Sequence, residues 1–347
     1  MNISDFGIRI GSLPHGDRNL ISDVSGVKVG HATIDTDRSK TGVTVVLPCE
    51  GNVFRNKLIA ASYVLNGFGK TLGLVQIEEL GTLETPIALT NTLNVGLVHD
   101  ALVEYSISIC ESDGTVLRSV NPVVCECNDA SLNDIRLRAV KKEHVFQAID
   151  SASADFELGD VGCGKGTTCH GLKGGVGSSS RRVELGGEEY TVGVLMQTNH
   201  GSLADLRIDG KPIGQELKKA LETDAPDKGS CITVVATDLP LSSRQLKRVL
   251  KRAAVGLIRN GSFLGHGSGD IFVGFTTANR LYESEDPFRN ARFLNEEHID
   301  LIFRACAEAA EEAVLSSLLN AETVTGFSGK TRVSLREMIE HYGILKQ

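Results

Sequence analysis

The dipeptide Gly229-Ser230 joins a polar stretch, Glu222-Thr-Asp-Ala-Pro-Asp-Lys228, to the apolar, β-branched segment Cys231-Ile-Thr-Val-Val-Ala-Thr237. A serine heading a buried strand is held on one side by the strand and approached on the other by a flexible, cleavable linker. A self-processing N-terminal nucleophile needs that arrangement. Its hydroxyl attacks the Gly229 carbonyl carbon, the acyl group shifts from nitrogen to oxygen, and water hydrolyses the ester. The freed α-amine, with an ordinary pKa of about 7.7–8.0, then serves as base for the hydroxyl of the same residue. Glycine at 229 lets the scissile unit take strained backbone geometry at little steric cost. The same dipeptide also reads as an ordinary loop-to-strand turn, and these residues alone leave both readings open.

Other groupings point to other chemistries. Gly162-Cys-Gly-Lys-Gly-Thr-Thr168 and Gly67-Phe-Gly-Lys-Thr71 have the flavour of phosphate-cradling loops. Neither fits the required spacing, because Lys165 is followed by Gly166 and Val64 occupies the first glycine position of the second segment. Both read as tight turns. His266, two residues from Ser268, raises a serine–histidine–acid triad, although a glycine-flanked histidine is also a turn residue. His15, His31, His170 and His200 form no ligand spacing. The eight cysteines (Cys49, Cys110, Cys125, Cys127, Cys163, Cys169, Cys231 and Cys306) are dispersed without CxxC pairs. Neither a metal nor a disulfide framework is expected, and most of these thiols read as small buried hydrophobes.

The elements that must position Ser230 belong to a chain of 347 residues with 41% apolar content, enough for a sizeable core in one domain, 1–347. A net charge of -8, scattered Lys and Arg and no Trp argue against nucleic-acid binding. The start lacks a charged n-region and a long apolar h-region. No apolar run approaches the roughly 20 residues that span a bilayer, so no membrane partner and a cytoplasmic location are expected.

Periodicity predicts strands over Thr41–Pro48, Leu74–Glu78, Pro86–Thr90, Ser119–Val124, Thr191–Thr198, Cys231–Thr237 and Asp270–Thr277. Helical spacing predicts helices over Phe54–Leu65, Asn94–Ser106, Lys142–Ser151, Ser243–Arg259 and Glu296–Leu319. Glu126–Asp134 reads as turn and Lys218–Gly229 as the internal linker. The order lacks the strict βαβ rhythm of a doubly wound sheet, so a layered α/β body with helix-covered sheets is expected.

Several blocks in one order carry a resemblance that spans almost the whole chain. Gly229-Ser-Cys-Ile-Thr-Val-Val-Ala-Thr-Asp-Leu-Pro-Leu241, the helix Gln245–Gly256 and His266-Gly-Ser-Gly-Asp270 resemble the L-aminopeptidase/D-esterase (DmpA-type) family, which includes the β-peptidyl aminopeptidases. Thr41–Pro48, Leu83-Glu-Thr-Pro-Ile-Ala-Leu-Thr-Asn-Thr-Leu93, Gly171-Leu-Lys-Gly-Gly-Val-Gly177 and Val192-Gly-Val-Leu-Met-Gln-Thr-Asn199 add to it. The resemblance implies an αββα sandwich of the N-terminal-nucleophile hydrolase type, cleaved into an α chain (1–229) and a β chain (230–347).

By the same resemblance, Ser230 is the nucleophile, Asn199 stabilises the oxyanion, and Ser268 and Asp270 orient the Ser230 amine and hydroxyl. Glu126 is the candidate to hold the substrate's ammonium group, because an aminopeptidase needs a carboxylate there. Glu126 also reads as a solvated turn residue. The chain departs from the family pattern at two places: Ser131 stands where an aromatic, often tyrosine, is expected, and Cys127 where threonine is usual. Loss of a phenolic hydroxyl bears on substrate class and rate. The implied activity is hydrolysis of small amino-acid-derived peptides, amides or esters, without a cofactor, by a homotetramer of αβ units. Two alternatives share the fold: an acyltransferase in which an amine captures the acyl-enzyme, as in ornithine acetyltransferases, and a binding protein without activity.

Overall fold

The computed structural model describes residues 3–221, 229–282 and 286–343. In chain order, β1 (Lys28–Asp35), β2 (Lys40–Leu47), β3 (Asn56–Gly67), α1 (Leu74–Leu80), β4 (Thr82–Leu83), β5 (Ile87–Asn91), α2 (Val95–Asp113), β6 (Val123–Cys127) and α3 (Lys142–Asp150) precede the glycine-rich stretch. The ribbon β7 (Thr168–Cys169) and β8 (Leu172–Lys173) then leads into β9 (Val176–Leu185), β10 (Glu188–Asn199), α4 (Ile213–Leu221) and β11 (Ser230–Thr237). Last come α5 (Ser243–Arg259), β12 (Gly269–Tyr282), α6 (Ile299–Leu319), the ribbon β13 (Val324–Thr325) and β14 (Thr331–Arg332), and α7 (Leu335–Tyr342).

One sheet has the order β1-β2-β5-β6 and the other β4-β3-β12-β11-β10-β9. Only β5–β6 and β11–β12 run parallel within them. Three apolar layers fill the spaces between these elements. Ile232, Val234, Ile271 and Val273 meet Ile87, Leu89, Val123 and Cys125 between the two sheets. Leu246, Val249, Leu250, Cys306, Ala309 and Ala313 of α5 and α6 cover the outer face of the larger sheet. Val98, Leu102, Val145 and Ala148 of α2 and α3 cover the smaller sheet. The succession helix, sheet, sheet, helix is the αββα sandwich.

Period-two alternation produces this layering at the centre: Cys231 and Val235 of β11 face α5 and α6, while Ile232 and Val234 face the other sheet. Helix α5 follows its sequence signal residue for residue. Ser242 caps it by accepting from Gln245 N, and its apolar stripe lies on the sheet.

Two expectations fail and one strand lies outside them, each for an identifiable reason. The segment expected as a helix over Phe54–Leu65 is β3, an inner strand between β4 and β12 with Leu58, Ile59, Ala60 and Ala61 all buried. An apolar run buried on both faces loses the alternation that distinguishes a strand from a helix. The strand expected over Leu74–Glu78 is the short helix α1, delimited by left-handed Gly73 and Gly81. The strand β9 went unpredicted because Ser178, Ser179 and Ser180 look loop-like. Ser178 Oγ donates to the Val194 carbonyl (2.7 Å) and accepts from Ile21 N (2.8 Å), so its polarity is internally satisfied.

Smaller shifts occur at boundaries. The strand expected over Ser119–Val124 runs Val123–Cys127, which moves Glu126 from a turn into a strand. Lys218–Leu221 of the expected linker belongs to α4, and 222–228 lies outside the described residues.

Candidate active site

The C-terminal end of β10, the N-terminal ends of β11 and β12, and the C-terminal end of β6 converge. Ser230 opens β11 directly opposite Asn199, the last residue of β10, in an antiparallel ladder that runs from Val192↔Thr237 to Asn199↔Ser230. Both are 7% exposed, so the pair is nearly buried yet still reached from the strand ends. By strand parity, Ser230 lies with Ile232 on the face toward the other sheet.

Backbone approach explains the glycine before it. A Cβ built on Gly229 would lie 1.7 Å from the Asn199 carbonyl oxygen and 2.5 Å from His200 Cα. Gly229 is therefore pressed against the strand that carries Asn199, and no side chain fits. At Asn199 itself, Oδ1 accepts from Thr168 N (3.0 Å) and Nδ2 donates to the Asn128 carbonyl (3.0 Å). These two bonds set the amide orientation and leave the second Nδ2 hydrogen for a further acceptor.

Ser268 and Asp270 come together at the head of β12. Ser268 Oγ donates to Asp270 Oδ1 (2.9 Å), and Asn66 Nδ2 donates to Asp270 Oδ2 (2.9 Å) and to the Leu264 carbonyl (2.8 Å). Asp270 is fully buried and pairs in register with Cys231, one residue beyond Ser230. Burial, followed by the Asp270 charge, drives the Cys231 thiol well above its ordinary pKa.

Glu126 occupies the fourth position of β6 and is 3% exposed. Its Oε1 accepts from Lys70 N (3.0 Å), and Oε2 accepts from the Thr92 hydroxyl. The carboxylate is thus fixed, with acceptor capacity beyond these two bonds. The next residue bridges the sheets: the Cys127 thiol lies 3.5 Å from the carbonyl oxygens of Ser230 and of Gln197. Burial keeps that thiol protonated, so it is a donor at neutral pH. Ser131 lies beyond the strand end, and its buried Oγ has no hydrogen-bond partner among the described residues.

The rival groupings resolve into supports. Lys165 pairs with Asp35 and Asp160, each at 2.8 Å, and Lys70 Nζ stands 4.3 Å above the Phe68 ring. His266 is exposed on its loop. The wholly buried Lys173 gathers the glycine-rich segment by donating to the carbonyls of Gly164 (2.8 Å), Thr167 (3.0 Å) and Gly174 (2.6 Å). Burial draws its pKa down to about 7.

Sequence reasoning missed Asn66, Thr92 and Asn128, which hold Asp270, Glu126 and Asn199 respectively. Asn66 lies 204 residues from the Asp270 it holds, and Asn128 acts through its carbonyl, which no residue type signals.

Two facing sheets between helix layers, with a buried serine heading an inner strand opposite an amide, are the framework of an N-terminal-nucleophile type hydrolase. Comparison with known proteins agrees. The profile described as Peptidase family S58 matches residues 19–332. A β-peptidyl aminopeptidase from Sphingosinicella microcystinivorans is 39% identical, the match covering 97% of this chain and 91% of that protein.

Among solved structures, the PH0078 protein from Pyrococcus horikoshii superposes with a TM-score of 0.91 at 46% identity over 99% of both chains. The L-aminopeptidase D-Ala-esterase/amidase from Ochrobactrum anthropi, a prototype of the serine aminopeptidases with a variant Ntn-hydrolase fold, gives 0.89 at 34% identity over 99% of both. The chain belongs to peptidase family S58, the DmpA-type aminopeptidases, and is a serine-type aminopeptidase hydrolase. No described helix is long and apolar enough to cross a membrane.

Proposed function

We propose that this single-domain chain cleaves itself between Gly229 and Ser230 and then works as an N-terminal-serine aminopeptidase on small peptides, amides or esters. The register pairing of Ser230 with Asn199 at neighbouring strand ends carries this reading. The α-amine released by self-cleavage takes the Ser230 hydroxyl proton. Oγ then attacks the substrate carbonyl carbon, and the second Nδ2 hydrogen of Asn199 meets the oxyanion. Collapse expels the amine or alcohol with that proton, and water releases the acyl group from Ser230.

Asp270, locked by Ser268 and Asn66, lies one strand over on the Cys231 face. From there it holds the Ser230 amine. Glu126 takes the substrate's ammonium group, and Ser131 contributes a small, open wall in place of an aromatic. β-Amino-acyl substrates are supported by the relative from Sphingosinicella, and L-aminoacyl peptides and D-alanyl esters or amides by the Ochrobactrum enzyme. We read the assembly as a tetramer of αβ units in the cytoplasm; the exposed apolar side chains Phe68, Val75, Leu80 and Phe263 support association between chains.

Intact-mass spectra of fresh protein beside Ser230→Ala test the reading. The expected result is two fragments breaking at Gly229-Ser230 in the wild type and one full-length species in the variant, with turnover of β-alanyl or L-alanyl amides by the wild type alone. A persistent full-length wild type, or equal cleavage of the variant, refutes it.

A further inference from the structure

Behind Asn199, on the other side of the strand ends from the smaller sheet, three side chains of metal-binding type converge. Cys169 ends β7, His170 follows in the turn to β8, and His200 follows Asn199. The sulfur and one ring nitrogen of each histidine all lie within 4.8 Å of one another, and all three residues are buried. The backbone ties the two loops together, because His170 N donates to the His200 carbonyl at 2.7 Å. The two rings meet edge to face with centroids 5.4 Å apart.

The hydrogen-bond geometry suits a ligand set. His170 Nδ1 lies 3.0 Å from the Ser202 carbonyl. A carbonyl only accepts, so the proton sits on Nδ1 and Nε2 carries a lone pair. Metal-bound histidines are oriented by this kind of outer hydrogen bond. His200 is 2% exposed, and neither of its ring nitrogens has a hydrogen-bond partner among the described residues. A buried imidazole with donor and acceptor both unmade calls for an explanation.

Local strain fits the same picture. His170 adopts φ +48°, a conformation that non-glycine residues rarely take. A Cβ on Gly201 would lie 2.4 Å from His170 Nδ1, so the glycine makes room for the ring.

We propose that Cys169, His170 and His200 bind a single zinc-type transition-metal ion, with the sulfur as thiolate and both histidines as neutral imidazoles. Binding releases the Cys169 thiol proton to solvent and forms one metal–sulfur and two metal–nitrogen bonds. Sulfur and imidazole donors without a carboxylate favour zinc or copper(I) over magnesium or calcium. With bonds of about 2.0 Å to nitrogen and 2.3 Å to sulfur, the donors of a tetrahedral centre stand about 3.3–3.6 Å apart, so binding draws the cluster inward.

The ion would not touch substrate. His200 adjoins Asn199, and the Gly229 Cβ position lies against His200 Cα, so the ion positions the strand end that faces the scissile junction. The linear spacing hid this group because residues 169 and 200 meet only through the β10 turn-back.

The full-length protein, stripped with a chelator and dialysed against buffered zinc, tests the proposal. The wild type should retain one zinc per chain, and cobalt(II) in its place should show a thiolate-to-cobalt charge-transfer band. Cys169→Ser should lose that band, and His200→Gln should bind zinc about tenfold or more weakly, with circular dichroism confirming that both variants fold. A wild type that retains no stoichiometric zinc, or that gives no thiolate band with cobalt, overturns the proposal whatever the variants do. Unchanged zinc affinity in both folded variants overturns it equally. These readouts are independent of turnover and of self-cleavage.

Discussion

Two buried polar regions lie on the same strands, and they are finished differently. Arg181 of β9 pairs in register with Val192 of β10, seven residues from Asn199, or about 23 Å along an extended strand. Its guanidinium is fully buried between two carboxylates and two backbone carbonyls, although Nε makes no hydrogen bond. Nη2 reaches Glu312 (2.7 Å) and the Ile10 carbonyl (2.8 Å), Nη1 the Ser180 carbonyl (2.8 Å), and Nε faces Glu308 (3.4 Å). At the other end, Ser131 Oγ, Asp129 Oδ2 and both His200 ring nitrogens are buried without hydrogen-bond partners among the described residues. The first region joins opposite charges in the interior and holds structure, whereas the second gathers neutral and acidic polar atoms beside the strand end that carries Asn199.

The comparison breaks most visibly at Ser230. Ser230→Ala should lower amide turnover by ~10³-fold or more, because the attacking oxygen is gone, while circular dichroism shows the variant folded. A variant that keeps most of its activity would move the site elsewhere. Arg181→Ala should do the reverse. It strands Glu308 and Glu312 in the interior and should cost about 3–5 kcal/mol in urea unfolding, with kcat per folded molecule nearly unchanged. Loss of activity without loss of stability would show that the two ends are coupled.

Asn199→Ala should lower kcat by ~10²–10³ if its amide meets the oxyanion. A change confined to KM would assign it to binding instead. A pH-dependent effect is expected at Asp129, whose carboxyl is raised to about 7 by burial, against hydrogen bonds from neighbours that include Asn133. The unfolded chain loses this proton near pH 4 and the folded chain near 7, so between those values the folded state binds more protons. Stability should therefore fall as pH rises through that window. Asp129→Asn should flatten this slope in thermal unfolding scans, and an unchanged slope would place the titration on another group.

Legibility in the sequence followed the physics of each element. Helix α5 could be read residue for residue because its cap and its apolar stripe are local signals. β3 and α1 were misread because burial on both faces and flanking left-handed glycines decide them, and neither shows as a period. In the site, the linker-to-strand junction at Ser230 reads equally as an ordinary turn, and only the ordered family blocks single the serine out. The supporting bonds from Asn66, Thr92 and the Asn128 carbonyl were not legible, since those partners lie 204, 34 and 71 residues from the groups they hold.

By itself, the sequence determined the layered α/β class, the strand that Ser230 heads, and, through several ordered blocks, the family. These rest on residue type and near-neighbour spacing, which the chain carries in one dimension. Tertiary structure alone decided that Asn199 faces Ser230 across one ladder rung, that Gly229 has no room for a Cβ, and that Cys169 and His170 meet His200. Each is a contact between distant segments, set by strand register and sheet order, and a shift of one residue in register would turn every one of those side chains to the opposite face.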